Sequence, residues 1–229
     1  AADAIVSSNE ERRERLSEMT RYFGEIWEER KNSEPSFDMI SMLAHNETTR
    51  DMSDEEFLGS LALLIVGGND TTRNSMSGSV LALNKFPDQE KLLRSDPSLM
   101  AGFVSEVIRY QTPLTYMRRT ALEDTELGGR QIARGDRVVM WYISGNFDDD
   151  VFEDPHTFDI TRHNARRHLS FGAGIHRCVG DRLAEQQLRI LWEEIHKRNF
   201  QIELVGECQR IYSSFIRGFR DLPTRIKVG

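Results

Sequence analysis

The feature that most restricts the fold is a ten-residue loop, Phe171-Gly-Ala-Gly-Ile-His-Arg-Cys178-Val-Gly180, followed at once by a helical pattern over residues 179–197. Gly172 and Gly174 permit backbone geometry and close approach that a Cβ would block. Cys178 then falls at the N-terminus of the helix, where the positive end of the dipole favours a negatively charged sulfur. Gly180 removes a side chain where that helix would meet a flat neighbour. Such a loop suits a shielded thiolate whose backbone presses against a planar group. A buried structural cysteine beside a glycine-rich turn is the plain alternative for a lone cysteine.

The rest of the first half reads as helix. Leu16, Met19, Tyr22, Phe23, Ile26 and Trp27 recur at three-four spacing within residues 9–30, an amphipathic pattern. A short helix is expected at 37–44, after Pro35. Ser53-Asp-Glu-Glu56 is a capping box, and the helix it opens runs to about Asn84, before Pro87. At 1.5 Å per residue that is about 45 Å. Its middle is apolar nearly all round, so burial is expected. Pro87 begins a short helix to Arg94, Asp96-Pro97 breaks it, and Ser98 starts another that ends near Tyr110.

Beyond Pro113 the pattern changes. Residues 125–127 and 137–142 read as strands, with Gly128-Gly129 and Arg134-Gly135-Asp136 as turns. Residues 146–170 are irregular, a length that is usually functional. The tail from Phe200 alternates enough for short strands. The expected class is mainly α with minor β.

Composition removes several functions. The net charge of −7 is spread without a basic block, which argues against nucleic acid as partner. The longest apolar stretch, residues 58–68, falls short of the roughly 20 needed to cross a bilayer. No basic region followed by an apolar one opens the chain. Cys178 and Cys208 alone cannot make a disulfide framework, which fits a reducing compartment. The chain therefore reads as soluble and cytoplasmic. It starts without Met, in an Ala1-Ala2-Asp3 run that reads as mid-helix and hints at a missing N-terminal portion.

Phe171, Gly174, Cys178 and Gly180 stand in the FxxGxxxCxG spacing. Here the chain resembles the cytochrome P-450 superfamily of haem-thiolate monooxygenases, whose signature this is. The resemblance covers nearly the whole sequence, and the family is roughly twice as long. It implies that residues 1–229 are the C-terminal part of one cytochrome P-450 domain, with the N-terminal half absent. It makes Cys178 the sulfur ligand to the iron of haem b, with Phe171, Gly174 and Gly180 around it.

The resemblance gives roles to other residues. Glu106 and Arg109 form the Glu-x-x-Arg pair that anchors the segment leading to the thiolate loop. The spacing alone is weak, because Glu10/Arg13, Glu18/Arg21, Glu47/Arg50 and Glu207/Arg210 share it. Only Glu106 lies between the long helix and the cysteine loop, on an apolar helix carrying Phe103, Val104, Val107 and Ile108. The third member stays open among Thr157, His156 and Arg162.

Gly67-Gly68-Asn69-Asp70-Thr71-Thr72 interrupts the buried helix at a cost, since each glycine loses roughly 1 kcal/mol against alanine. By resemblance Thr71 handles oxygen and protons, Asp70 serves the proton relay, and Gly67 and Gly68 let the haem face approach the backbone. A packing notch for a crossing helix is the structural alternative. Arg119, with Arg118 as the adjacent possibility, and His176 match the contacts to the haem carboxylates. His168 reads as a loop histidine.

Arg166, Arg167, Arg177, Arg182 and Arg189 surround the cysteine and suit an acidic electron donor. A solvated helix face is the duller reading. For soluble bacterial members the resemblance implies a [2Fe-2S] ferredoxin and its NAD(P)H-dependent reductase.

The runs GGNDTTRNS, HLSFGAGIHRCVG and QLRILWEEI are similar to those of soluble bacterial terminal alkane hydroxylases. That group oxidises the end carbon of medium-chain n-alkanes. Leu63, Ile65, Val66, Leu114, Met117, Phe215 and Ile216 fall where the family lines its substrate pocket, and all are apolar. Fatty acids, terpenes, or a non-catalytic haem protein are the competing expectations.

Overall fold

The computed structural model describes residues 9–229; the Ala1-Ala2-Asp3 run and the Glu10/Arg13 side chains lie outside what it describes. The chain divides into two compact units at Gly67/Gly68.

The first unit holds α1 (Asn9–Lys31), α2 (Met39–His45) and the start of α3 (Asp54–Lys85). Its core is Trp27 stacked on Phe57 at 4.2 Å, with Ala44 and Leu61. Asp38 caps α2 by accepting from Ser41 N, and Arg30 Nε holds the same carboxylate at 2.9 Å. The capping box forms as expected. Glu56 N donates to Ser53 Oγ at 3.3 Å, and Ser53 N donates to Glu56 Oε2 at 2.9 Å.

Two expectations for α3 fail. The glycine-rich polar run does not interrupt it, for the helix is continuous over all 32 residues. A penalty of roughly 1 kcal/mol per glycine is small against the hydrogen bonds on either side. Nor is its middle buried, since Leu63, Val66 and Ile65 are exposed to 73%, 63% and 36%. An apolar residue is buried only where a facing surface exists, and Leu63 and Val66 stay largely uncovered.

The second unit carries the rest of α3, α4 (Pro87–Ser95), a 3-10 turn at Pro97–Leu99 and α5 (Met100–Gln111). Next come β1 (Tyr116–Thr120), β2 (Thr125–Leu127), β3 (Arg130–Ile132), β4 (Arg137–Trp141) and α6 (Tyr142–Asn146). After the irregular stretch follow α7 (Asp181–Lys197), β5 (Phe200–Leu204), β6 (Gln209–Arg210), β7 (Phe219–Asp221) and β8 (Thr224–Val228). Among the described residues the strands form four antiparallel pairs, β1–β4, β2–β3, β5–β8 and β6–β7. Gly128 and Gly129 both take positive φ, which closes the two-residue turn between Leu127 and Arg130.

The core packs α5 and α7 through Phe103, Val107, Leu188 and Trp192, with Phe158 brought in by the irregular stretch. Trp192 Nε1 is satisfied by Ser79 Oγ at 2.8 Å. The last helix starts at Asp181, two residues later than the sequence pattern suggests, with Gly180 as its N-cap. Cys178 N–H is spent on Phe171 O at 2.9 Å, which keeps Cys178 in the loop.

Candidate functional site

The site rests on an ion pair sealed inside the second unit. Glu106 and Arg109 are 0% exposed on α5 and meet bidentately, Nε to Oε2 and Nη2 to Oε1, both at 2.7 Å. Three apart on one helix, they face each other directly. The remaining guanidinium protons go to carbonyls of the irregular stretch. Nη1 reaches Asn146 O at 2.7 Å and Pro155 O at 3.0 Å, and Nη2 reaches Thr157 O at 3.4 Å. Glu106 Oε1 also accepts from Asp159 N at 3.0 Å. The irregular stretch after α6 is thereby held by a charged pair whose every group has a partner, the condition under which burial of ions is tolerated.

The third member is Arg162. Its Nε lies 3.3 Å from Glu106 Oε1, and its guanidinium also donates to the carbonyls of Glu153, Asp154 and Thr157. Thr157 supplies only its carbonyl, and His156 packs its ring on Phe147. By contrast Glu18, Arg21, Glu47, Arg50, Glu207 and Arg210 are all exposed.

The irregular stretch delivers the cysteine loop. Leu169 N donates to Asn146 Oδ1 at 2.6 Å, and Ser170 Oγ donates to Ile108 O at 2.8 Å. Phe171 follows, partly buried against the core. Gly172 and Gly174 adopt φ of +66° and +70°, which explains glycine at both positions. A 3-10 turn, Gly174–His176, then brings the chain round to Cys178.

The thiol is exposed, and so are its apolar neighbours Ile175 at 97%, Val179 at 88% and Leu183 at 60%. His176 is exposed beside them. Buried behind the loop, His168 rests its ring on Phe171 at 5.2 Å, and its Nδ1 has no hydrogen-bond partner among the described residues. Burial, then the nearby Arg177 charge, push its pKa down to about 4.

The other predicted residues are placed as follows. Asp70 Oδ1 takes a 2.8 Å ion pair from Arg73 one turn on. Thr71 is half-buried, and its carbonyl accepts from Ser75 Oγ. A Cβ added to Gly67 or Gly68 would meet no atom within 4 Å, so packing in this chain does not demand glycine there. Leu114 bridges Ile216, and Thr115 N donates to Phe215 O at 3.0 Å, which joins the two pocket segments of the second unit.

Strand alternation divides those residues. Tyr116 and Arg118 lie opposite Trp141 and Val139, while Met117 and Arg119 lie opposite Met140 and Val138 on the other face. The Phe215 ring packs edge-on to Tyr116 at 5.4 Å, so Met117 and Phe215 are not gathered on one face. Arg118 and Arg119 likewise cannot both point to one ligand group. The basic patch is partly neutralised, since Arg166, Arg177 and Arg189 have Glu185, Asp181 and Glu193 within 4 Å.

A family description, cytochrome P-450, matches residues 1–213. The chain belongs to that family. Linalool 8-monooxygenase of Pseudomonas putida is 43% identical over 208 residues, 90% of this chain and 51% of that protein. The solved cytochrome P-450-153 from Novosphingobium aromaticivorans is 55% identical with a TM-score of 0.87, over 93% of this chain and 53% of that one. CYP153D17 from Sphingomonas sp. PAMC 26605 is 48% identical with a TM-score of 0.90, over 98% and 57%. The chain thus spans about half the length of the curated relatives it matches.

Cytochrome P-450 proteins bind haem iron through a cysteine thiolate. The residues here fit that group. Among the described residues no three His, Cys, Asp or Glu side chains are placed to hold a metal ion. A flat apolar macrocycle would cover the uncovered Ile175, Val179 and Leu183. No helix among the described residues is long and apolar enough to cross a membrane.

Sequence reasoning missed Asn146, Thr112 and Ser170, which connect the ion pair to the cysteine loop. The bonds that join Asn146 to Thr112, Leu169 and Ser170 span residues distant in sequence, and no spacing rule announces them.

Proposed function

We propose that this chain is the cofactor-binding part of a haem-thiolate monooxygenase, within one larger domain, with Cys178 as the iron ligand. The reading rests on an uncovered thiol in an apolar patch, on a loop tied to a fully buried ion pair. Bound through a thiolate, haem supplies dioxygen-cleaving chemistry, because sulfur donates electron density to iron.

The chain's own residues divide the remaining work. Phe171, Gly174 and Gly180 shape the loop, and His176 with Arg119 or Arg118 meets the haem carboxylates. Gly67 and Gly68 keep side chains away from the ligand face of α3. Asp70 and Thr71 pass protons from solvent, with Arg73 holding the Asp70 carboxylate between transfers. Within the second unit, Leu114 and Phe215, on segments joined by backbone pairing, offer apolar side chains to an aliphatic substrate.

The reaction is hydroxylation of an unactivated C–H bond, at the terminal carbon of medium-chain n-alkanes or related chains. Electrons come from NAD(P)H through a [2Fe-2S] ferredoxin and its reductase. Support for alkanes is the sequence resemblance and the aliphatic lining. A second reading, a terpene alcohol, is favoured by the 43% identity to linalool 8-monooxygenase. A cytoplasmic location belongs to the same reading and rests on Cys178 and Cys208 both being free.

The test uses the full-length protein with a ferredoxin system, analysing products from octane and from linalool. Octan-1-ol supports the first reading; oxidation of linalool alone supports the second. NADH consumption without product from either defeats both. Cys178→Ser should abolish the thiolate-type band of the reduced carbon monoxide complex, and an unchanged band would remove Cys178 from the iron.

A further inference from the structure

The hub between the buried ion pair and the cysteine loop is Asn146, the last residue of α6, 0% exposed. Its carbonyl and its whole side-chain amide are used. Its carbonyl accepts from Arg109 Nη1 at 2.7 Å. Its side-chain Oδ1 accepts from Leu169 N at 2.6 Å, and Nδ2 donates to Thr112 Oγ1 at 2.9 Å and Ser170 Oγ at 2.8 Å. Both hydroxyls have already committed their single protons, Thr112 to Arg109 O at 2.6 Å and Ser170 to Ile108 O at 2.8 Å. They offer Asn146 lone pairs alone.

The site therefore demands two donors and one acceptor on one planar group, which only an amide of this length supplies. Aspartate keeps the acceptor but faces two oxygens that have no proton to give. Leucine keeps the branched heavy-atom shape and the backbone bond to Arg109 but loses all three side-chain bonds. Thr112 sits at φ +42°, a strained conformation that its own bond to Arg109 O and the Asn146 amide hold in place.

Through Leu169 and Ser170 the amide grips the chain immediately before Phe171, whose carbonyl accepts the Cys178 N–H at 2.9 Å. Three short links thus separate Asn146 from the sulfur. We propose that Asn146 is a positioning residue for the thiolate, transmitting the register of the Glu106–Arg109 pair to the Cys178 loop. This rests on the reading of Cys178 as the iron ligand.

The test compares Asn146→Asp, Asn146→Leu and Ser170→Ala in the full-length holoprotein with Trp192→Phe. The tryptophan variant loses one buried hydrogen bond, to Ser79, in the same unit but outside the Asn146 network. The readouts are the proportion of thiolate-type carbon monoxide complex, the iron midpoint potential and the haem dissociation rate. The Asn146 variants should weaken haem retention about ten- to a hundredfold. They should also convert part of the complex to the thiol type and shift the potential, with Ser170→Ala milder in the same direction.

Trp192→Phe should lower thermal stability and leave the spectrum and potential alone. If Asn146→Asp and Ser170→Ala keep the thiolate band and potential of the parent, or shift them no more than Trp192→Phe does, the inference is overturned. Should the Asn146 variants fail to fold, Ser170→Ala decides the matter. A parent protein without a thiolate-type complex would instead refute the assignment of Cys178, a separate outcome.

Discussion

Replacing Glu106 by alanine tests the anchor directly. The change leaves the Arg109 guanidinium at 0% exposure without its bidentate partner, frees Asp159 N and unhooks Arg162. Breaking a buried pair at one partner costs about 3–5 kcal/mol. Arg109 keeps the carbonyls of Asn146, Pro155 and Thr157, which holds the cost near the lower end, about 3 kcal/mol. The orphaned Asp159 amide adds about 1 kcal/mol. A loss of about 4 kcal/mol shifts the folding equilibrium roughly a thousandfold, against a total stability of about 5–15 kcal/mol.

The assay is urea unfolding of the full-length protein, followed by tryptophan fluorescence, with the haem-to-protein ratio measured alongside. Haem incorporation should be lost, because the irregular stretch that presents the cysteine loop no longer has its anchor. Glu18→Ala and Glu207→Ala share the three-residue spacing but sit in water, and should change stability by about 0.5 kcal/mol or less. If Glu106→Ala unfolds within about 1 kcal/mol of the parent and binds a full complement of haem, the anchoring role is wrong.

Two further outcomes follow from the electrostatics. His168 is held near 4 by burial and Arg177, against 6.5 when unfolded, so between those values the unfolded chain binds a proton that the folded chain refuses. Stability present above pH 6.5 should fall as pH drops toward 4, by a few kcal/mol, and then level off. His168→Phe should flatten that part of the urea midpoint–pH curve, and an unaltered slope would contradict the assignment. Arg182→Glu tests the electron-donor face without breaking the Arg177–Asp181 pair. It should raise the ferredoxin concentration needed for half-maximal turnover, more so at low salt; turnover unchanged across ferredoxin concentrations would exclude docking there.

The local features of this chain were legible wherever neighbours in sequence decide them. The capping box at Ser53, the Gly128-Gly129 turn and the Glu106–Arg109 spacing each follow from a few adjacent residues. β1 was missed because Tyr116-Met-Arg-Arg-Thr120 has no apolar alternation, and its pairing with β4 is what makes it a strand. The burial expected for the middle of α3 was wrong because apolar character states a preference, whereas burial also needs a facing surface.

The sequence by itself determined which chemistry the chain is equipped for: one cysteine in a glycine-permitted loop before a helix, in a spacing shared with a known family. Order along the chain had already singled out Glu106 and Arg109; only the tertiary structure decided which of three candidates completes the pair and how Asn146 carries its position to the sulfur. Those choices depend on backbone carbonyls and amides that every residue owns alike. No side-chain pattern can mark them until the fold brings them within hydrogen-bond distance.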